Sequence, residues 1–324
     1  MKKTTRILSV LMIVLILLSV LFTAVGASEI NYSKYKGFVY TDFDASDGCV
    51  WITNYKGNKT KITIPKKLKG KKVESISHYG KIKRLHIPDG ITALYIAKAK
   101  NLKKITVNKT NKKYSVKNNL LLNKKKTVLY GCPRGNSNPK IPKTVVTIGS
   151  DAFYGAKFEK ISLPKNVKTI ELRAFSHCKN LTDIKFSKKL KKIGNEAFSY
   201  CNSLKTITIP DTVTKLGTYA FSYCKNLESV NLSKRLKYLD AVFNGCESLK
   251  ELKFPESITK IESYALLGCD ALEKVYIYNK NCKIYYDPSY EISNSIPKSA
   301  TIYGYEGSTA EKYAKKNGNN FVAL

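Results

Sequence analysis

The stretch Ile193–Leu204, I-G-N-E-A-F-S-Y-C-N-S-L, recurs as near-copies along the second half of the chain. Each copy belongs to a longer unit that ends on an apolar residue, and these closing residues follow one another at intervals of 22 or 23 residues: Leu163, Phe186, Ile209, Leu232, Phe254 and Ile277. A constant period of this length is typical of a solenoid, in which each unit buries its apolar face only by stacking on the next.

Two patterns inside the unit predict its local structure. Leu204, Ile207 and Ile209 show the alternation of a short strand with one buried face. Ala197 and Cys201 lie four residues apart, a spacing that places both on one face of a helical turn. The period also falls within the roughly 20 to 29 residues of leucine-rich repeats. We therefore predict a curved α/β leucine-rich-repeat solenoid with one short strand and one short helical turn in each repeat.

The amino terminus has the pattern of an export signal. Lys2, Lys3 and Arg6 precede a mainly apolar run at residues 7–22, and small residues at 25–27 provide a cleavage site. An uncleaved membrane anchor is the alternative, but the run is shorter than the roughly 20 residues needed to cross a bilayer. We expect a secreted chain, either extracellular or non-covalently associated with the cell surface, because no signal for covalent wall attachment precedes Leu324.

Breaks in the repeat pattern divide the chain further. Residues 114–123 and 127–130 predict a hairpin joined through 124–126, and Ser308 with Glu311 predicts a capping box for a helix at 310–316, followed by a last strand at 321–324. The predicted parts are a signal peptide at 1–27, an N-terminal cap at 28–57, divergent repeats with a hairpin insertion at 58–140, regular repeats at 141–277 and a C-terminal cap at 278–324.

Several of these motifs resemble one protein family. The A-F-x-x-C units, the Y-G-C-P sequence at 130–133 and the T-I-Y-G-Y sequence at 301–305 are similar to those of BspA-type leucine-rich-repeat proteins of bacteria. The resemblance covers nearly all of the chain after the signal. It implies an exported solenoid with a binding or adhesive role.

Cysteine in an exported chain suggests disulfides or a metal site. However, five of the eight cysteines share one repeat position, which predicts a buried column of small apolar side chains: Cys178, Cys201, Cys224, Cys246 and Cys269. The sequence has no C-x-x-C pair, and His78, His86 and His177 are not at ligand spacing. The adjacent His177 and Cys178 are not expected to act together. We expect no cofactor, no metal and no enzymatic activity.

The charge of the chain is the main functional signal. The formal net charge is +33, or +30 without the three basic residues of the signal, and only five of 57 basic residues are arginine. Lysine lacks the planar fork used for precise phosphate or base recognition, so this composition favours general attraction to polyanions. Solubility alone is the alternative, although the charge exceeds what solubility requires.

Because the repeats superpose, basic residues between the strand and the next apolar position are expected to form a stripe along one edge, where they would bind anionic glycan or cell-wall polymer. Its members are Lys165, Lys168, Lys188, Lys189, Lys191, Lys192, Lys215, Lys234, Arg235, Lys237 and Lys260.

Exposed strand positions on the presumed concave face form a second candidate site, which would contact a protein or glycan ligand through Lys185, Thr208, Asn231, Lys253 and Tyr276. The alternative function is a structural protein that self-associates through its tyrosine-rich ends, including Tyr285 and Tyr286. Specific nucleic-acid readout ranks third, because arginine is scarce.

Overall fold

The computed structural model describes residues 33–41, 49–77, 80–289 and 295–324. The predicted signal peptide at 1–27 lies outside these residues. The described chain is a solenoid of stacked repeats in which nearly all regular structure is short β-strand. Each regular repeat contributes two strands, one on each side of the core, whereas the sequence predicts only one.

The first strand of each repeat is the one that the apolar alternation predicts. Thr206–Thr208 pairs in parallel with Ser229–Asn231, with Ile207 opposite Val230 and the flanking side chains exposed. We call this set the front strands. Its members are Lys61–Thr63, Arg84–Ile87, Lys104–Val107, Lys160–Ser162, Asp183–Lys185, Thr206–Thr208, Ser229–Asn231, Glu251–Phe254, Lys274–Ile277, Thr301–Gly304 and Phe321–Ala323.

The second strand is only two residues long and lies on the opposite side of the repeat. Lys192–Ile193 pairs in parallel with Thr169–Ile170 and with Lys215–Leu216. A two-residue strand is too short to show a period, so the sequence does not reveal it. These back strands are Thr147–Ile148, Thr169–Ile170, Lys192–Ile193, Lys215–Leu216, Tyr238–Leu239, Lys260–Ile261 and Lys283–Ile284.

The predicted helical turn in each repeat is wrong. The segment from Gly194 to Cys201, which we call a turn segment, is a series of turns in which alternate N–H groups bond within the repeat and to the next repeat. Ser199 N–H donates to Glu196 O (3.1 Å), whereas Phe198 N–H donates to Ala220 O (2.7 Å). Left-handed backbone at Glu196 and Tyr200 (φ 52° and 61°) allows this alternation. Hydrogen bonds between repeats thus replace the i to i−4 bonds of a helix.

The core between the two strand sets contains a ladder of phenylalanines. Phe198 lies between Phe175 and Phe221, with ring centroids at 5.0 and 5.1 Å and nearly parallel planes. All three side chains are fully buried. Offset stacking of this kind adds about 0.5–1.5 kcal/mol per pair to the burial of the rings. The ladder explains why phenylalanine recurs at this position, and the alanine before each ring is fully buried as well.

The amino-terminal repeats have a core of their own. The strands Ser33–Tyr35, Phe38–Thr41 and Cys49–Tyr55 form an antiparallel unit, and Cys49–Tyr55 continues in parallel into Lys71–Ile76. Lys67–Leu68, Ala93–Leu94 and a 3-10 turn at Ile96–Lys98 complete this part. The buried side chains of these amino-terminal repeats form one apolar cluster, separate from the cluster of the regular repeats.

The insertion has three strands, not the predicted two. Tyr114–Lys117 and Leu120–Asn123 form a hairpin around Asn118 and Asn119, which both have left-handed backbone, and Val128–Gly131 adds a third antiparallel strand. Leu120 and Leu122 pack in the core of the regular repeats, whereas Leu121 packs in the amino-terminal core. This strand is buried on both faces and joins the two cores.

The carboxy-terminal helix agrees closely with its prediction. It spans Thr309–Asn317, and its N-cap Ser308 accepts the N–H of Glu311. The Glu311 carboxylate in turn accepts the N–H of Gly307 (2.7 Å). Gly318 ends the helix with φ 80°, as expected for a left-handed C-cap. The last strand, Phe321–Ala323, pairs with Thr301–Gly304.

Candidate binding surfaces

The eleven predicted stripe residues are here called the basic edge. Eight of them lie in the turns that connect front and back strands, and Lys192, Lys215 and Lys260 are the first residues of back strands. In the repeat at 187–192, the Ser187 hydroxyl accepts the N–H of Lys189 (3.0 Å) and donates to Lys165 O (2.8 Å). Ser233 likewise accepts the N–H of Arg235, but its hydroxyl donates to Val213 O, at a different repeat position from Lys165. The serines hold the turn backbone inward, so that the adjacent basic side chains point outward.

All eleven residues of the basic edge are exposed. Lys260 forms an ion pair with Glu262; within the described residues, the other ten have no carboxylate partner within 4.0 Å. Lys192 lies directly beside Lys215 in the back sheet, where neighbouring strands are roughly 4.8 Å apart. Like charges held at this spacing repel one another, and a bound polyanion would relieve that repulsion.

The basic edge is less continuous than the predicted stripe. The position two residues after the closing apolar residue of each repeat is not always basic. It is Lys165, Lys188 and Lys234 in three repeats, but Asp211 and Glu256 in the other two. Asp211 accepts the backbone N–H of Lys234 (2.8 Å) and so takes a structural role. Six of the eleven edge residues therefore concentrate in the two adjacent repeats at 165–192.

The front strands carry the second predicted surface. Lys185, Thr208, Asn231 and Lys253 are exposed and Tyr276 is half-buried. Asn231 Nδ2 donates to Thr208 Oγ1 (3.3 Å), which links two neighbouring repeats. A groove of about 970 Å³ runs over this face and is lined by Thr208, Asn231 and Lys253, but not by Lys185. The lining also includes Asp211, Glu251 and Glu256, so its charge is mixed.

A cluster of tyrosines lies beside one end of this groove, and of these residues the sequence predicted only Tyr276 as a ligand contact. The rings of Tyr276 and Tyr303 stack with centroids 4.5 Å apart, and Tyr278 lines the groove. Lys253 lies 5.1 Å from the centroid of the Tyr276 ring and forms an ion pair with Glu251 (2.9 Å). The hydrogen bond and charge of Glu251 raise the pKa of Lys253. The spacing by two of the tyrosines in the last front strands, at 276 and 278 and at 303 and 305, was the available signal.

The five repeat cysteines are buried and are not bonded to one another. Each thiol donates to the carbonyl of the phenylalanine in the preceding repeat: Cys178 to Phe153, Cys201 to Phe175, Cys224 to Phe198, Cys246 to Phe221 and Cys269 to Phe243, at 3.1–3.3 Å. The cysteine therefore supplies a weak hydrogen bond between repeats as well as apolar volume. Burial raises the pKa of Cys224 and Cys269 to about 12, so these thiols stay protonated near neutral pH.

His177 and Cys178 do not form a catalytic pair. The Cys178 thiol points into the core toward Phe153 O, whereas the His177 ring stacks on Tyr200 at the surface. Within the described ranges, no group of three or more His, Cys, Asp and Glu side chains is placed to hold a metal ion. A search of the same residues finds no helix with the length and apolar character needed to cross a membrane.

The two tyrosines of the predicted self-association surface differ in environment. Tyr286 donates a hydrogen bond to Lys316 O (2.9 Å) and packs edge-on against Tyr313, which ties the carboxy-terminal helix to the repeats. Tyr285 is 37% exposed. Tyr286 thus has a structural role, and Tyr285 is the more exposed of the two.

Comparison with known proteins gives matches to repeat proteins. The model of the BspA type leucine rich repeat region matches residues 123–241 and 239–302 with six copies, more than half of the chain. No curated protein matches the sequence.

Among solved structures, a leucine-rich repeat protein from Eubacterium ventriosum is 29% identical with a TM-score of 0.50, and the match covers 64% of each chain. One from Bacteroides ovatus is 22% identical with a TM-score of 0.54, over 90% of this chain and 76% of that one. A leucine rich cell surface protein from Faecalibacterium prausnitzii is 21% identical with a TM-score of 0.38, over 89% of this chain and 98% of that one. The chain thus spans about two thirds to three quarters of the first two structures.

Proposed function

The chain belongs to the BspA-type leucine-rich-repeat family, and from this premise we propose that it is a secreted or surface-associated binding protein whose basic edge holds anionic glycans or cell-wall polymers. The observation that carries the proposal is the dense, exposed and largely unpaired positive charge at residues 165–192. The front groove would bind a second ligand, a protein or a glycan. The export pattern at 1–27 and the family's surface proteins support the location.

Physical chemistry favours a flexible polymer over a compact ligand at the basic edge. Its residues are all lysine except Arg235, and lysine acts as a hydrated point charge without a fixed geometry. Its charges repeat at the spacing of stacked strands, so a linear polyanion can follow them from repeat to repeat. Nearby acidic residues are few at 165–192, which leaves the field of this part uncompensated.

Binding should depend strongly on salt. Exposed charges are screened beyond about 8 Å at physiological ionic strength, so a lysine-dominated interaction weakens as salt rises. The test passes the protein over columns of immobilised dextran sulfate, teichoic acid and uncharged dextran. We expect retention on both anionic columns at low salt, elution as salt rises, and no retention on dextran. Retention on dextran, or retention that high salt leaves unchanged, contradicts the proposal.

Variants separate the edge from the front face. Reversal of Lys188, Lys189, Lys191 and Lys192 to glutamate should lower the salt concentration of elution far more than reversal of Lys185 and Lys253, the two predicted front-face lysines. All six side chains are exposed, so both variants should keep the fold, which far-UV circular dichroism checks. If the front-face variant has the larger effect, the polyanion binds on the front strands and not along the edge.

A further inference from the structure

One position of the turn segment has left-handed backbone in all six regular repeats. Its residues are Gly155, His177, Tyr200, Tyr223, Gly245 and Gly268, with φ between 56° and 74°. Glycine adopts this conformation without steric cost, whereas a bulky side chain rarely does. Three consecutive repeats nevertheless place an aromatic ring there, although glycine serves in the flanking repeats.

These rings form a column on the surface. His177 stacks on Tyr200 at 4.5 Å with an interplanar angle of 7°, and Tyr200 stacks on Tyr223 at 4.8 Å and 10°. Tyr154 extends the column beyond His177, at 5.1 Å and with a tilt of 54°. Gly245 closes the far end, since a Cβ there would lie 2.7 Å from the ring of Tyr223. His177 and Tyr200 therefore each lie between two neighbouring rings.

The other end of the column opens on a pocket. The Arg134 guanidinium lies 5.6 Å from the centroid of the Tyr154 ring, in space left by Gly155, where a Cβ would approach the guanidinium to 2.7 Å. The pocket measures about 550 Å³, and its lining contains no carboxylate: Lys100, Arg134, Tyr154, Gly155, Ala156, Lys157, His177, Lys179 and Asn180. Burial, followed by the charges of Lys179 and Arg134, lowers the pKa of His177. The pocket therefore has a positive field.

Two further observations distinguish this pocket from an ordinary basic surface. Arg134 Nε is buried and, within the described part of the chain, has no hydrogen-bond partner. The residue after the repeat cysteine, Lys179 here, is Lys225 and Glu247 in two later repeats, and these form an ion pair at 2.7 Å. Among the residues that the structure describes, neither Lys157 nor Lys179 has a carboxylate within 4.0 Å. The positive charge at the repeat position of Lys179 is thus neutralised in later repeats but not at the pocket.

We infer that this pocket is a binding site for a tetrahedral oxyanion, the sulfate or phosphate group of a free ion or of an esterified sugar. A guanidinium donates in a planar fork that matches such oxygens, and lysines at 157 and 179 supply the remaining charge. The volume lies within the roughly 300–1,000 Å³ of small-ligand pockets, which leaves room for a sugar beside the anionic group. The site is separate from the basic edge. Its repeat residues lie within the turn segments or directly after them, whereas the edge residues precede the turn segments.

Calorimetric titration of the full chain tests the site with four probes: inorganic sulfate, inorganic phosphate, glucosamine 6-sulfate and glucose 6-phosphate. We expect saturable binding of at least one probe at one site per chain. Arg134→Gln and Lys179→Gln should each weaken it about tenfold or more, which corresponds to about 1.4 kcal/mol. Lys225→Gln is the matched control. It removes a lysine from the same repeat position as Lys179, but one that is paired with Glu247, and it should leave binding unchanged.

The His177 ring provides an independent readout by NMR titration. A bound oxyanion should raise the pKa of His177, and Lys179→Gln should raise it in the absence of ligand, because Lys179 lowers it in the native chain. Tighter binding of the sugar esters identifies an esterified ligand, and equal binding of the inorganic ions identifies the free group.

Three results overturn the inference. The first is that none of the four probes binds saturably. The second is that Lys225→Gln weakens probe binding as much as Lys179→Gln does. The third is loss of probe binding in the variant with charge reversals at Lys188, Lys189, Lys191 and Lys192. The last result would place the anion on the basic edge and leave the proposed function standing. If the protein is not retained on the anionic polymer columns but still binds a probe, the proposed function fails and the pocket stands. The two proposals can therefore fail separately.

Discussion

Replacement of Tyr200 by glycine and, separately, by alanine tests the left-handed backbone of the turn segments. In a regular element, glycine is less stable than alanine by about 0.5–1 kcal/mol. Tyr200 has φ 61°, and a left-handed conformation costs an L-residue about 1–2 kcal/mol. Alanine keeps this strain whereas glycine removes it. We therefore expect Tyr200→Gly to be more stable than Tyr200→Ala by about 1 kcal/mol.

Both variants should be less stable than the native chain. Tyr200 is 36% exposed, so roughly 130 Å² of the residue is buried, which contributes about 3 kcal/mol at about 25 cal/mol per Å². Its stacking on His177 and Tyr223 adds about 0.5–1.5 kcal/mol for each pair. Allowing for some relaxation of the exposed column, we expect a loss of about 4 kcal/mol for alanine and about 3 kcal/mol for glycine.

Urea unfolding followed by far-UV circular dichroism measures these differences. The matched control is Thr208, an exposed residue within a front strand, where Thr208→Gly should be less stable than Thr208→Ala. The order of glycine and alanine should thus reverse between the two sites. If alanine is the more stable replacement at both, the left-handed conformation is not a source of strain and the account of the turn segments fails.

Three further predictions concern the core. Phe198→Ala should lower the free energy of unfolding by about 3–5 kcal/mol, whereas Phe186→Ala, which removes a half-buried ring, should cost less; equal losses in urea unfolding would count against the ladder. Burial raises the pKa of the Cys132, Cys224, Cys269 and Cys282 thiols from 9.0 to about 12. The unfolded chain releases these protons first, so stability present below pH 9 should fall between pH 9 and 12 by about 1.4 kcal/mol per pH unit for each thiol; an unfolding midpoint unchanged between about pH 8 and about pH 10 would refute this. Finally, the five repeat cysteines should resist a thiol reagent at neutral pH in the folded chain and react once urea unfolds it, and labelling at the same rate in both states would contradict their burial.

The repeat allowed much of the fold to be predicted. A fixed period places each apolar residue in a column, so burial of Phe198 and Cys201 and exposure of Lys188 and Lys189 follow from their register alone. The N-cap at Ser308 is a local motif, and its serine accepts the Glu311 N–H as predicted. The returning bond of Glu311 comes from Gly307 and not from the N-cap residue itself.

The errors arise where several short-range conformations fit one pattern. The spacing of Ala197 and Cys201 suits a helical turn, but it also suits consecutive turns whose N–H groups bond to the next repeat. Gly245 and Gly268 at the column position of Tyr200 were a signal of left-handed backbone that the sequence argument did not use. The two-residue back strands have no period to detect.

The candidate sites also include features that the repeat register predicts and features that it does not. The basic edge repeats with the unit, so its exposure is readable from the sequence, whereas its interruption by Asp211 depends on one residue in one repeat. The tyrosine cluster beside the groove brings together Tyr276 and Tyr303, which are separated in the sequence by the segment after the last regular repeat. The pocket at Arg134 joins the insertion to the repeats, and no periodic pattern reports a contact between a regular and an irregular segment.

The most direct test of the central claim compares two sets of charge reversals for affinity to dextran sulfate at low salt. One set is Lys188, Lys189, Lys191 and Lys192 on the basic edge; the other is Lys112, Lys117, Lys125 and Lys140, exposed lysines in and beside the insertion. Each reversal removes two charges, so both sets change the formal net charge from +33 to +25. We expect the edge set to weaken binding at least about tenfold more than the insertion set. Equal weakening by the two sets would show that net charge, and not the basic edge, governs binding to the polymer.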